Sequence, residues 1–233
     1  MFKFTKLAIA TIGAISLAAC GDNDNESTEV ISAVDSTLEY QVTVSNLTNA
    51  QPFSPLTVLL HDTGEVWSIG DSASDALESL AESGDNSGLI ASSFVLGSAS
   101  NSAVLPYGQS ATVPVSTSSE SNYLSLVTML VNTNDAFSGL NKIDISQLAV
   151  NQSLQYSPGA YDAGTEANSE EAGTIPGPAD SGGEGYNVVR DDVDFVTMHS
   201  GVISSDDGLT DSVLNFQHKF DNPVMAVTIT RTK

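Results

Sequence analysis

Residues 38–45 alternate apolar and polar side chains without a break: Leu38, Tyr40, Val42 and Val44 against Glu39, Gln41, Thr43 and Ser45. Side chains on a strand point to opposite faces with period two, so this stretch is a strand with one buried face that needs a second layer to cover it. Similar segments recur at 56–61, 93–96, 103–105, 111–115, 193–199, 213–218 and 224–231, separated by Gly, Asn, Ser and Pro. Across 123–131 both alternating faces are apolar. Tyr123, Val127, Met129 and Val131 lie on one face and Leu124, Leu126 and Leu130 on the other, which predicts a strand covered on both sides. Helical spacing appears over 72–82, where Ala73, Ala76, Leu77, Leu80 and Ala81 share one face. Ser72 with Asp75 resembles a capping box, and Gly84 stands where a left-handed cap is wanted. Many short strands and one short helix predict an all-β fold, an antiparallel β-sandwich crossed by a single helix.

The chain begins with Lys3 and Lys6, passes through an apolar run over 7–17, and reaches Leu17-Ala18-Ala19-Cys20. That order is a secretory signal peptide over 1–19; a membrane span needs about 20 apolar residues. Cys20 is the only cysteine, so no intramolecular disulfide forms. Leu-Ala-Ala-Cys resembles the bacterial lipobox. The resemblance implies that Cys20 carries lipid and anchors the protein in a membrane, and Gly21 in place of Asp fits an outer-membrane address. Residues 20–36 are polar and acidic, with too little apolar surface to fold, and read as a flexible tether. Residues 37–233 then form one domain.

The sequence holds 29 Asp and Glu against 7 Lys and Arg, a net charge of −22. Such a surface repels phosphate backbones, which excludes nucleic acid as a partner. It suits both a saline medium, where charge is screened, and divalent cations.

The acids of interest lie in two stretches. Asp135 sits in 132–139, read as a loop after the strongest apolar strand; Asp162 and Glu166 flank Gly164, whose backbone freedom lets the chain fold tightly. Three carboxylates with no Cys or His nearby suit a hard cation, calcium first. Asp191, Asp192 and Asp194, and likewise Asp206, Asp207 and Asp211, lack the Gly and closing Glu of an EF-hand loop and read as polar faces or turns. His61, His199 and His218 have serines nearby, but no Gly-x-Ser-x-Gly frame surrounds any of them, so the chain does not read as an enzyme. An extracytoplasmic hydrolase acting on polysaccharide or peptide is the alternative, and a His held beside a Ser and oriented by a third group is its structural sign. Trp67 is expected as a buried anchor between strand and helix. The Gly/Pro/Glu/Ser-rich 168–187 is expected as a long loop.

Several motifs recur together in one order: Phe53-Ser54-Pro55-Leu56, Trp67-Ser68-Ile69-Gly70 with Ala73-Ser74, Leu80-Ala81-Glu82-Ser83-Gly84, and Tyr161-Asp162-Ala163-Gly164-Thr165-Glu166. In that order the chain resembles the spondin amino-terminal domain across most of 38–233. The resemblance implies a C2-like antiparallel sandwich with calcium at loops on one end, the acids matched by Asp135, Asp162 and Glu166. It departs from the family's animal members in Ala136, where they carry Trp, in Glu166, where the pattern has Asp, and in lacking their cysteines. The combined expectation is a lipid-anchored, calcium-binding module that recognises a cell-surface protein or glycan.

Overall fold

Two antiparallel sheets face each other across an apolar interior in the protein, described here by a computed structural model over residues 36–233. The signal peptide, the lipidation of Cys20 and all of the tether except Ser36 lie outside the described residues. In chain order the elements are β1 (Leu38–Asn46), β2 (Thr57–His61), α1 (Asp75–Ser83), α2 (Ser87–Ile90), β3 (Val95–Ser100), β4 (Ser110–Thr117), β5 (Tyr123–Met129), β6 (Ala136–Asp144), β7 (Ser153–Tyr156), β8 (Ala160–Asp162), β9 (Thr197–Met198) and β10 (Met225–Arg231). One sheet runs β4-β1-β10-β7 and the other β3-β2-β5-β6-β8-β9. The expected β-sandwich is present.

The alternation in β1 does what its pattern demands. Tyr40, Val42 and Val44 are buried against Val58 and Leu60 of β2, Leu124 and Leu126 of β5, and Val227 and Ile229 of β10. Each such side chain, taken out of water, stabilises the fold by roughly 1.5–3 kcal/mol. The outer face of the larger sheet is covered as well. Leu59, Val127 and Phe137 pack against Leu77, Leu80 and Ala81 of α1, so β5 is apolar on both faces because both are buried. Trp67 anchors this second layer, its ring 5.1 Å from Phe137 and 5.3 Å from Tyr161. β5 and β6 approach so closely that a Cβ on Gly139 would lie 1.8 Å from the Leu126 carbonyl oxygen.

Local choices differ from expectation in places. The α1 cap is Ser74, whose hydroxyl accepts from Leu77 N, while the Ser72 hydroxyl is drawn off to Asp194 O at 2.8 Å. Gly84 closes the helix in the left-handed region, as expected. The short helix α2 is unexpected. The strand expected over 213–218 is a turn ending in the 3₁₀ segment Phe216–His218, because its apolar residues do not share a buried face: Leu214 is buried and Phe216 is 66% exposed. Within 193–199 only Thr197–Met198 pairs, and within 103–105 only Leu105 bridges, to Phe53. β6, β7 and β8 are strands that the sequence did not announce.

Candidate metal centre

The stretch 132–139, expected as an acidic loop, is a buried hairpin turn leading into β6. Polar side chains replace water there. The Thr133 hydroxyl donates to Leu130 O at 2.6 Å and accepts from Ala136 N at 3.1 Å, and Asn132 N donates to the Gln51 side chain. Asn132, Thr133, Asn134 and Asp135 are consequently all buried, Asp135 completely. The turn is built from residue types that favour loops, but their hydrogen bonds are made inward.

Pairing of β6 with β8 sets Ala136 opposite Asp162, and Ala163 N donates to Asp135 O at 3.3 Å. Gly164 then enters the left-handed region at φ +70°, with Asp194 N donating to its carbonyl at 2.7 Å. This bend returns the next two backbone N–H groups to Asp135. Its Oδ2 accepts from Thr165 N at 2.8 Å, Glu166 N at 3.2 Å and the Thr165 hydroxyl at 3.3 Å. Its Oδ1, equally buried, has no hydrogen-bond partner. Asp162 accepts from Gly164 N on Oδ1 at 2.8 Å and from Asn168 Nδ2 on Oδ2 at 2.7 Å.

The charges around Asp135 are of its own sign. Burial first, then the Asp162 charge and Asp192, push its carboxyl up to about 8 against the N–H bonds from Thr165 and Glu166. Burial and then Asp162 also raise Asp192. A buried carboxylate with neighbouring acids must take up a proton or a cation.

Of the three expected ligands, the fold brings Asp135 and Asp162 together and turns the Glu166 carboxylate elsewhere. Glu166 Oε1 accepts from Asn134 Nδ2 at 2.9 Å. Burial first, then the charges of Glu82, Glu184 and Asp191, push its carboxyl up to about 7 against the hydrogen bond from Asn134. Among the described residues no three His, Cys, Asp or Glu side chains stand as a ready metal cage. The donor chemistry at Asp135 and Asp162 nevertheless fits a hard cation, because it consists of carboxylate oxygens, one of them bare.

Asp192 and His199 also border the site, unforeseen. Asp192 sat in an acidic run that lacked an EF-hand pattern, and nothing in the sequence distinguished it. His199 Nδ1 accepts from Gly201 N at 2.9 Å, which places the neutral ring's proton on Nε2, a buried atom without a partner. Burial lowers the His199 pKa, and the Asp162 charge opposes that shift.

A His beside a Ser does occur. His61 Nε2 lies 2.9 Å from Ser125 Oγ, and Nδ1 lies 2.9 Å from Thr63 O. Both side chains are fully buried, with the rings of Phe94 and Tyr123 against His61, and Ser125 Oγ also accepts from Lys142 N. No substrate reaches a hydroxyl in that position. The pair satisfies buried polar groups of the sheet.

Neither a family model nor a curated protein matches the chain.

Proposed function

We propose that this protein is a lipid-anchored, extracytoplasmic, calcium-binding β-sandwich for adhesion or recognition at the cell surface, with calcium held by Asp135 and Asp162. The observation that carries the reading is Asp135 Oδ1: fully buried, without a hydrogen-bond partner, and with acids as its charged neighbours. Asp162 supplies the second carboxylate, and backbone carbonyls and water complete the 6–8 oxygens that calcium takes. Asp192 adds negative charge from the following strap. The resemblance to the spondin amino-terminal domain supports the same end of the sandwich, and the lipobox at Cys20 supports the membrane address.

The ion would reinforce three pieces that hydrogen bonds already join: the β5–β6 turn, the turn after β8, and the segment at 191–196 that lies against Gly164. Val193, Phe195 and Met198 expose apolar surface on that segment and on β9. Fixed in place by the ion, they offer a cell-surface protein or glycan a stable face with an acidic rim.

A ligand that binds only the folded state raises the melting temperature by mass action, with about 2.7 kcal/mol of stabilisation at a hundredfold excess over Kd. Calcium is expected to raise the melting temperature of the wild-type chain and to leave Asp162→Ala unmoved. A wild-type melting point that ignores calcium, or a variant that responds as the wild type does, refutes the assignment.

A further inference from the structure

The chain that leaves β9 and the chain that leads into β10 enclose an open cleft of about 610 Å³. Residues 200–203 line it from the first stretch and residues 219–221 from the second, with Asp207 beside them. The two stretches touch: a Cβ on Gly201 would lie 3.2 Å from the Phe220 carbonyl oxygen. The volume falls within the range of small-molecule sites, about 300–1,000 Å³.

The polar groups of the cleft divide into a fixed pair and two open ones. Lys219 Nζ donates to both oxygens of Asp207, at 2.7 and 2.8 Å. Ser204 also donates to Asp207 Oδ2, from its N–H at 3.1 Å and its hydroxyl at 2.8 Å. The Lys219 bond first, then Ser204, hold the Asp207 carboxyl down to about 2, so this pair is charged at ordinary pH. Asp207 thus sets the ammonium in place, and an ammonium with three hydrogens keeps one for a ligand. Asp221 and Ser200 are exposed, and their side chains bond to nothing among the described residues. They offer a carboxyl acceptor and a hydroxyl.

The apolar part of the cleft is Phe220. Its ring lies 5.3 Å from that of His199, and it packs against the cluster of Ile175, Val202 and Leu214. Those contacts hold the ring from one side, and the half-buried residue still lines the cleft on the other.

We propose that this cleft binds a neutral mono- or disaccharide, with Asp221 accepting from its hydroxyls, Lys219 and Ser200 donating to them, and Phe220 covering the apolar C–H face of a sugar ring. Sugar hydroxyls on adjacent carbons both donate and accept, which matches an acceptor and donors set close together. A pyranose also carries a flat apolar face, which an aromatic ring covers well. Asp207 cancels the charge of Lys219 and Asp221 leaves the cleft negative, within a chain of net charge −22, so an acidic sugar is repelled. Lys219 likewise disfavours a basic peptide. The cleft uses none of the calcium ligands, and it gives the recognition role a ligand class that does not depend on the ion.

The test is saturation-transfer NMR on the full chain, with chelator and in a detergent without a sugar headgroup. Maltose, cellobiose and N,N′-diacetylchitobiose are the probes. At least one of the three is expected to take up saturation from the protein, and Asp221→Ala is expected to weaken its binding about tenfold or more through the lost hydrogen bond to a charged group. Phe220→Leu, certified as folded by circular dichroism, is expected to weaken it as well. If none of the three sugars binds, or if Asp221→Ala or folded Phe220→Leu binds as the wild type does, the sugar cleft is overturned. A chain that binds sugar under chelation yet ignores calcium overturns only the metal assignment, so the two readings fail separately.

Discussion

Thr165 meets Asp135 twice, with its backbone N–H at 2.8 Å and its hydroxyl at 3.3 Å, and both contacts fall on Oδ2. The turn after β8 thus loads one oxygen of a buried carboxylate and leaves the other bare. A carboxylate held this way is oriented before any ion arrives, which lowers the ordering cost of binding. Replacing Thr165 by Val keeps the shape and removes the hydroxyl. The expected cost is about 1 kcal/mol in urea unfolding under chelation, because two backbone donors still serve Asp135.

Gly164 makes the bend. At φ +70° any side chain is strained, and a Cβ would stand 2.4 Å from the Phe195 carbonyl oxygen. Gly164→Ala is expected to destabilise the fold by at least about 1–2 kcal/mol from the left-handed backbone alone, and to weaken calcium binding along with it. Chemical unfolding read beside a calcium titration checks both effects.

Arg190 ties the strap to α1. Its Nε and Nη2 donate to Glu78 Oε2 at 3.0 and 2.6 Å, Nη1 to Asp194 Oδ1 at 2.6 Å, and Nη2 to Ala73 O at 2.9 Å. Glu78 is 2% exposed. Arg190→Ala strands that buried charge, and breaking such a pair costs about 3–5 kcal/mol, with partial solvent access at Arg190 favouring the lower end. Adding Glu78→Gln is expected to recover part of the loss. Limited proteolysis should show the strap near 183–196 cut first in the single variant.

The scaffold was legible where burial follows a simple period. The alternation of β1 and the two apolar faces of β5 each predicted the layer that covers them, and Trp67 proved to be the anchor its size suggested. The hairpin at 132–139 was not legible, since Asn, Thr, Asn and Asp usually mean water and here make their hydrogen bonds inward. β6 was hidden for the same reason: Ala136, Phe137, Ser138 and Gly139 carry little apolar signal, yet all are buried by their position between β5 and β8. The pairing of Asp135 with Asp162 follows from the β6–β8 register, which single-strand patterns do not encode. The direction of Glu166 was not legible either: its backbone N–H joins Asp135 while its carboxylate turns to Asn134. Glu82 looked like one more polar residue at a helix end, yet it is 1% exposed, its carboxylate accepting from Asn187 N of the strap.

Glu170 gives the fold a pH dependence away from the metal ligands. Its carboxylate accepts from Ile203 N at 2.7 Å and the Ser212 hydroxyl at 3.3 Å, and it is 2% exposed. Burial pushes it up to about 7; among nearby charges Asp207 raises it and Lys219 lowers it. The unfolded chain releases this proton near the ordinary value, 4.5, while the folded chain keeps it until about 7. Stability from this group is therefore full below the ordinary value and declines as pH rises between the two, by at most about 1.4 kcal/mol per pH unit. Melting curves under chelation should show the decline flattened in Glu170→Gln.

The central claim is that a cation replaces a proton on Asp135. Without the ion, burial and Asp162 hold that proton to about 8; with it, the carboxylate is charged and the proton leaves. The calcium affinity of the Asp135–Asp162 site, measured by titration from about pH 6 to about pH 7.5, should tighten about tenfold per pH unit. An affinity that stays flat across that range, or that Asp135→Asn leaves intact, contradicts the account.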